Sequence, residues 1–173
     1  MKRNTAIGDY LAPLAEIPTQ AYLTNVIQVA DVLEWILGQY GTSEVWQTTF
    51  SISEEFLRRL YFIRRGGDVS DFHLVLDLKA TNKTLKLWPF IVQVIDKAFL
   101  ADNHSKVLLV KSHDGRCATV MTSQNLTRGN RYESAIVTSD ASVFNVLLSQ
   151  LSDLITNHSV PLNDLFSRKI DDD

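Results

Sequence analysis

Two segments rich in β-branched and aromatic residues, 44–52 (EVWQTTFSI) and 71–79 (DFHLVLDLK), flank a stretch that opens on Ser53-Glu54-Glu55 and closes on Gly66-Gly67. Serine is a preferred helix N-cap, carboxylates favour the first turn, and glycine ends helices, so residues 53–65 are predicted to be helical. Strand, helix, strand in that order is the strongest constraint on the fold, because helices then have to cover a sheet. The rest of the chain continues the alternation. Val26, Val29, Ala30, Leu33, Trp35, Ile36 and Leu37 recur at helical spacing across 21–40, with Gly41 as the stop. Residues 84–99 read as a helix with a kink or a late start at Pro89. Strands are expected at 104–111 and 116–121 around the Asp114-Gly115 turn, and again at 132–138 after a loop over 122–130. Residues 141–156 form an amphipathic pattern through Val143, Val146, Leu147, Leu151, Leu154 and Ile155. The expectation is an α/β domain with a mixed sheet flanked by helices on both faces.

With 173 residues, the chain suits one domain with a sizeable core, expected over 19–170 after an irregular lead-in at 1–18 and before a solvated tail of three aspartates. A formal net charge of −3 rules out general basic character, so any nucleic-acid binding has to come from a local patch. Cys117 is alone, which leaves no intrachain disulfide. The start, MKRNTAIGDYLAPLAEIPTQ, is interrupted by Gly8, Asp9, Pro13, Glu16 and Pro18 and does not resemble a secretory segment. No run of eighteen apolar residues occurs, so no membrane span is expected and the expected compartment is the cytoplasm. Asn-x-Ser/Thr triplets at Asn82, Asn103, Asn125 and Asn157 are read as chance for the same reason.

Chemistry concentrates in residues 103–134, NHSKVLLVKSHDGRCATVMTSQNLTRGNRYES. His104 and Lys106 are two apart on an apolar-alternating run, where a strand would point both side chains to one face. Ser123 and Asn125 follow the next apolar run, placed to add a hydroxyl and an amide. An imidazole, a cation and neutral polar groups suit attack on a phosphate ester; they do not resemble a metal site or a dinucleotide cradle.

His-Ser-Lys, a hairpin, and then TSQNLTRGNRYES resemble the His-x-Lys, Asp and Gly-Ser-x-Asn motif of the phospholipase D superfamily. A single copy in so short a chain is similar to the superfamily's small bacterial nucleases, which pair two chains to build one site. The resemblance implies a metal-independent phosphodiesterase with no cofactor, working as a homodimer on the phosphate backbone of DNA or RNA. His104 would be the nucleophile that forms a phosphohistidine, and the partner's His104 would protonate the leaving oxygen. Lys106 and Asn125 would hold the non-bridging oxygens, Ser123 would add a contact, and Glu133 would orient the histidine. Lys111, Thr122, Arg128 and Arg131 are the candidate substrate-binding residues.

The chain departs from the motif at two positions. Lys111 stands where the family has Asp, and Asp114 lies eight residues beyond Lys106, roughly 26 Å along a strand at ~3.3 Å per residue. Thr122 replaces the glycine that lets backbone approach phosphate. These departures favour the alternative of a phospholipase D-like module that grips a phosphate backbone or a protein partner without turnover. A lipid or headgroup phosphodiesterase is a third reading.

The remaining candidates have ordinary explanations. His113 and His158 are expected in solvent, and His73 in the core or at the sheet edge. Glu133 is equally well explained as an outward strand residue. Arg58, Arg59, Arg64 and Arg65 form the best basic patch outside the motif but suit helix-surface ion pairs. Trp35, Trp46 and Trp88 are expected in the core.

Overall fold

The computed structural model describes residues 7–163. Among these residues eight strands form one mixed sheet in the order β1-β7-β6-β5-β2-β3-β4-β8. They are β1 (Thr19–Thr24), β2 (Ser43–Thr49), β3 (Val69–Asp77), β4 (Lys97–Ala101), β5 (Val107–Ser112), β6 (Cys117–Thr122), β7 (Glu133–Thr138) and β8 (Ser159–Pro161). Strands β2, β3 and β4 are parallel to one another, and the remaining pairings are antiparallel. The parallel strands are joined through α2 (Glu54–Arg65) and α3 (Thr81–Val94), since parallel neighbours need a crossover.

Helices cover both faces, unequally. Helix α1 (Val29–Tyr40), α2 and α3 pack with inward residues such as Val45, Phe72, Leu74, Leu108 and Val120 into the larger core. Among the described residues, helix α4 (Ala141–His158) covers the other face, where Phe144 and Leu151 meet Val75, Ala101 and Leu109. Burying side chains such as Phe72 and Phe144 contributes about 1.5–3 kcal/mol each. The three tryptophans join these clusters, Trp35 and Trp88 on the first and Trp46 on the second.

The strand–helix–strand unit lies where the sequence puts it, with Ser53 accepting from the Phe56 N–H as the N-cap of α2. Three expectations need correction. The helix expected at 21–40 begins only at Val29, because residues 19–24 pair antiparallel with β7. Tyr22 and Thr24 are buried and Leu23 exposed, a strand alternation hidden inside a helix-like pattern. The helix expected at 84–99 starts earlier, runs through Pro89, and stops at Val94, because the last residues form β4 beside β3. The strand expected at 104–111 starts at Val107, which leaves His104 and Lys106 in a loop. Strand β8 was not foreseen at all.

The β5–β6 hairpin turns at Asp114-Gly115, with Gly115 at φ 92°. Within the lead-in, Leu11 and Leu14 are buried in the larger core. The C-terminal aspartates lie outside the described residues. Among the described residues no helix is long and apolar enough to cross a membrane.

Candidate active site

Strands β2 and β3 end side by side, and the motif loops gather at their carboxyl ends, where ligands bind in α/β sheets. His104 is exposed, with its ring edge-on to Phe50 at 5.6 Å between centroids. No protein hydrogen bond to the imidazole occurs among the described residues, so both ring nitrogens are open to a ligand.

His104 and Lys106 do not lie on a strand, and the loop that carries them is held by Asn103, which is 5% exposed. The Asn103 side chain accepts from the Ser105 N–H at 3.1 Å and from the Ser105 hydroxyl at 2.5 Å, and it donates to the Thr49 carbonyl at 3.4 Å. Its backbone N–H donates at 3.0 Å to Asp77, a carboxylate only 2% exposed at the end of β3. The other Asp77 oxygen accepts from the Lys79 N–H at 2.7 Å. Thr48 closes the network, with its hydroxyl 2.8 Å from that of Ser105 and accepting from the Val107 N–H at 3.0 Å. Buried polar groups this fully satisfied hold one geometry, because any slippage strands a desolvated donor. Lys106 then folds back, its ammonium donating to the His104 carbonyl at 2.9 Å.

The second motif segment is tied to the same place. The Thr122 N–H donates to the Lys106 carbonyl at 3.1 Å. Asn125 accepts through Oδ1 from the Phe50 N–H at 3.2 Å and from the Thr49 hydroxyl at 3.4 Å. This leaves its NH2 end as the group available to an anion. Phe50 therefore touches both motif halves, through its N–H to Asn125 and its ring to His104. Sequence reading missed Phe50, Asn103, Asp77 and Thr48. An Asn directly before His-x-Lys and an Asp closing an apolar strand were the available signals.

Ser123 and Glu133 meet directly, hydroxyl to carboxylate, and Ser123 also accepts from the Ser134 N–H at 3.1 Å. Within the single chain the Glu133 carboxylate is thus taken by Ser123 rather than by the His104 ring. Thr122 turns its hydroxyl to the Ser134 carbonyl at 2.9 Å and accepts from the Gln124 N–H at 3.1 Å. Arg128 pairs with Glu55 at 3.0 Å, and Arg131 is exposed. Lys111 is not brought to the site, since it lies near the far end of β5 in register with Glu44. Asp114 stays in the hairpin, where Arg116, Ser112 and a backbone N–H hold its carboxyl well below the usual range.

The α2 arginines each have a partner inside the chain. Arg58 pairs with Glu54 at 2.6 Å, Arg59 with Asp31 and Glu34 at 2.6 and 2.5 Å, and Arg64 with Asp96, while Arg65 lies over Tyr61. His113 is exposed beside Ser70, and His158 is exposed beside Asp153.

No protein-family model and no curated protein sequence matches the chain. Solved structures do. NucT from Helicobacter pylori aligns over 83% of this chain and 99% of its own, with TM-score 0.59 and 15% identity. The phospholipase D family member Nuc from Salmonella typhimurium aligns over 83% and 97%, with TM-score 0.58 and 16% identity. Polyphosphate kinase from Porphyromonas gingivalis aligns over 79% of this chain but 26% of its own length, with TM-score 0.58 and 14% identity. The sheet order, the helices on both faces and these alignments agree that the chain has a phospholipase D-like fold.

Proposed function

We propose that the chain is a phosphodiesterase of the phospholipase D type, acting on DNA or RNA without a metal ion, in a site completed by a second copy of itself. The observation that carries this reading is the anchoring of His104 and Asn125 on Phe50, with Lys106 folded beside them. A phosphate at this mouth meets an unpaired imidazole, an ammonium and an amide donor.

The imidazole of His104 attacks phosphorus, forming a P–N bond as the ester P–O bond breaks. The ammonium of Lys106 and the NH2 group of Asn125 take the charge growing on the non-bridging oxygens. In-line displacement puts the leaving oxygen on the opposite side of phosphorus, out of reach of the same imidazole. An acid must come from there, and the partner's His104 supplies the proton. It then accepts a proton from water, whose oxygen displaces the imidazole and releases the phosphate monoester. Glu133 fixes Ser123 so that its hydroxyl and the adjoining backbone line the same mouth. Arg128 and Arg131 extend positive charge along the loop for a polyanion.

Purified protein is expected to hydrolyse bis(p-nitrophenyl) phosphate and to nick plasmid DNA in excess EDTA. His104→Ala should lower both by at least about 10³-fold. A divalent-ion requirement, or activity that survives the substitution, would overturn the mechanism.

A second reading is a module that grips phosphate without turnover. It is favoured by Thr122 at the motif's glycine position and by Lys111 at the motif's acid. In that case DNA binding persists in EDTA, no product forms, and Lys106→Ala weakens binding.

A further inference from the structure

At the other end of the same strands three ligand-bearing side chains converge. Glu44 and Asp71 are cross-strand partners on β2 and β3, and His73 lies two residues further along β3 on the same face. Strand geometry forces this grouping, because positions i and i+2 share a face and paired residues sit about 5 Å apart. The register shifts by one residue between Ser43 and Glu44, a bulge directly beside the cluster.

The His73 Nε2 lies 3.0 Å from Glu44 Oε1 and 3.0 Å from Asp71 Oδ2, and one ligand atom from each residue falls within 4.8 Å of the others. A ring nitrogen carries at most one hydrogen, so it can satisfy only one of two carboxylates; the hydrogen-bond geometry here favours Glu44. Ligand bonds of about 2.0–2.2 Å on a tetrahedral zinc put neighbouring donor atoms about 3.3 Å apart. Both nitrogen–oxygen separations are already close to that value. The two carboxylates sit on side chains 38% and 30% exposed, and their ligand oxygens lie within 4.8 Å of each other.

The imidazole is held rigidly. It is 12% exposed and stacks on Trp46 at 5.3 Å between centroids, and Trp46 in turn packs on Phe144 of α4. Lys111 is the cross-strand partner of Glu44 on β5, and Lys97 competes for the Asp71 oxygen, its ammonium 3.2 Å from Oδ2 on a side chain 55% exposed. An exposed pair of this kind is worth little, and the flexible lysine stem can release it at small cost.

We propose that Glu44, Asp71 and His73 form a divalent transition-metal site of the zinc class at the amino ends of β2 and β3. One nitrogen and two oxygen donors suit zinc, with water completing the coordination on the open side. The site is structural, tying β2 to β3 about 17 Å of strand away from Thr49, at five residues of ~3.3 Å each. It takes no part in the phosphodiester chemistry above, and its test does not depend on that reading.

Full-length protein is stripped with EDTA, dialysed, and titrated with zinc chloride by calorimetry and by tryptophan emission. The expected result is one zinc per chain, a rise in melting temperature, and a change in emission from Trp46. Trp46→Phe should keep the calorimetric binding and lose most of the optical change. Glu44→Gln, at a half-buried position outside the hydrophobic clusters, should weaken binding at least tenfold, and His73→Ala should do the same. Circular dichroism of the apo variants separates lost ligation from lost folding. Absence of zinc binding by the wild type overturns the proposal, as does equal binding by the folded Glu44→Gln and His73→Ala variants. In either case the convergence is an ion-pair cluster completed by Lys97.

Discussion

The two ends of strands β2 and β3 present polar groups in opposite ways. At the carboxyl end the candidate site residues, His104, Lys106 and Asn125, sit on loops, and more deeply buried residues such as Asn103 and Asp77 hold those loops. At the amino end Glu44, Asp71 and His73 project from the strands themselves, and the ladder positions them. Loops can approach a substrate from several directions but need an internal polar scaffold. Strands need no scaffold but offer donors only at fixed spacings. The first arrangement suits a site that grips a large, variable substrate; the second suits a small ion.

The comparison breaks first at His104. His104→Ala should remove hydrolysis by about 10³-fold or more while leaving zinc uptake and melting temperature unchanged. If both ends lost function together, their independence would be wrong.

The next largest effect should come from the scaffold. Asp77→Ala leaves the buried N–H of Asn103 without its acceptor, at about 1–3 kcal/mol, and frees the more exposed N–H of Lys79 to water. Hydrolysis should fall by roughly 10–100-fold, through kcat more than through KM, because the His104 loop loses its register. Urea unfolding and steady-state kinetics measure the two losses. An Asp77→Ala protein that is stable and fully active would remove the scaffold from the account.

A smaller effect tests the shared strand–helix–strand frame. Ser53→Ala removes the N-cap of α2 and should cost about 1 kcal/mol in chemical denaturation, with little change at either end.

The smallest effect lies in the hairpin, away from both ends. The Asp114 carboxyl is held below its ordinary range by its hydrogen bonds to Arg116 and Ser112. A depressed carboxylate pKa stabilises the fold above the unfolded value of roughly 3.9, and the stabilisation is lost as pH falls below it. Asp114→Asn should therefore melt slightly lower than the wild type at pH 7, with the gap closing below about pH 4. A gap constant across that range would exclude the carboxylate as its source.

Much of the candidate carboxyl-end site was legible because its residues are local in sequence. His104 and Lys106 are adjacent in a recognisable pattern, and Ser123 and Asn125 form another. What the pattern could not convey was their support. The strand geometry expected for His104 and Lys106 is absent, and the network that replaces it draws on Thr48, Asp77 and Asn103 from three separate stretches. The amino-end cluster was almost invisible, since Asp-x-His on a strand is a weak signal and Glu44 comes from a neighbouring strand. Strands β1 and β4 were misread for a related reason. Each is five or six residues long, and its type is set by a partner far away in sequence, β7 for one and β3 for the other.

The sequence by itself determined the α/β alternation, the hairpin, the caps of α2 and the residue types of the candidate site at the carboxyl end. These follow from spacing, turn chemistry and capping, which act over a few residues. Tertiary structure alone decided the eight-strand order, the buried scaffold beneath His104, and the meeting of Glu44 with Asp71 and His73. Those depend on strand register, and register is a contest among distant segments for the same hydrogen bonds and the same buried face.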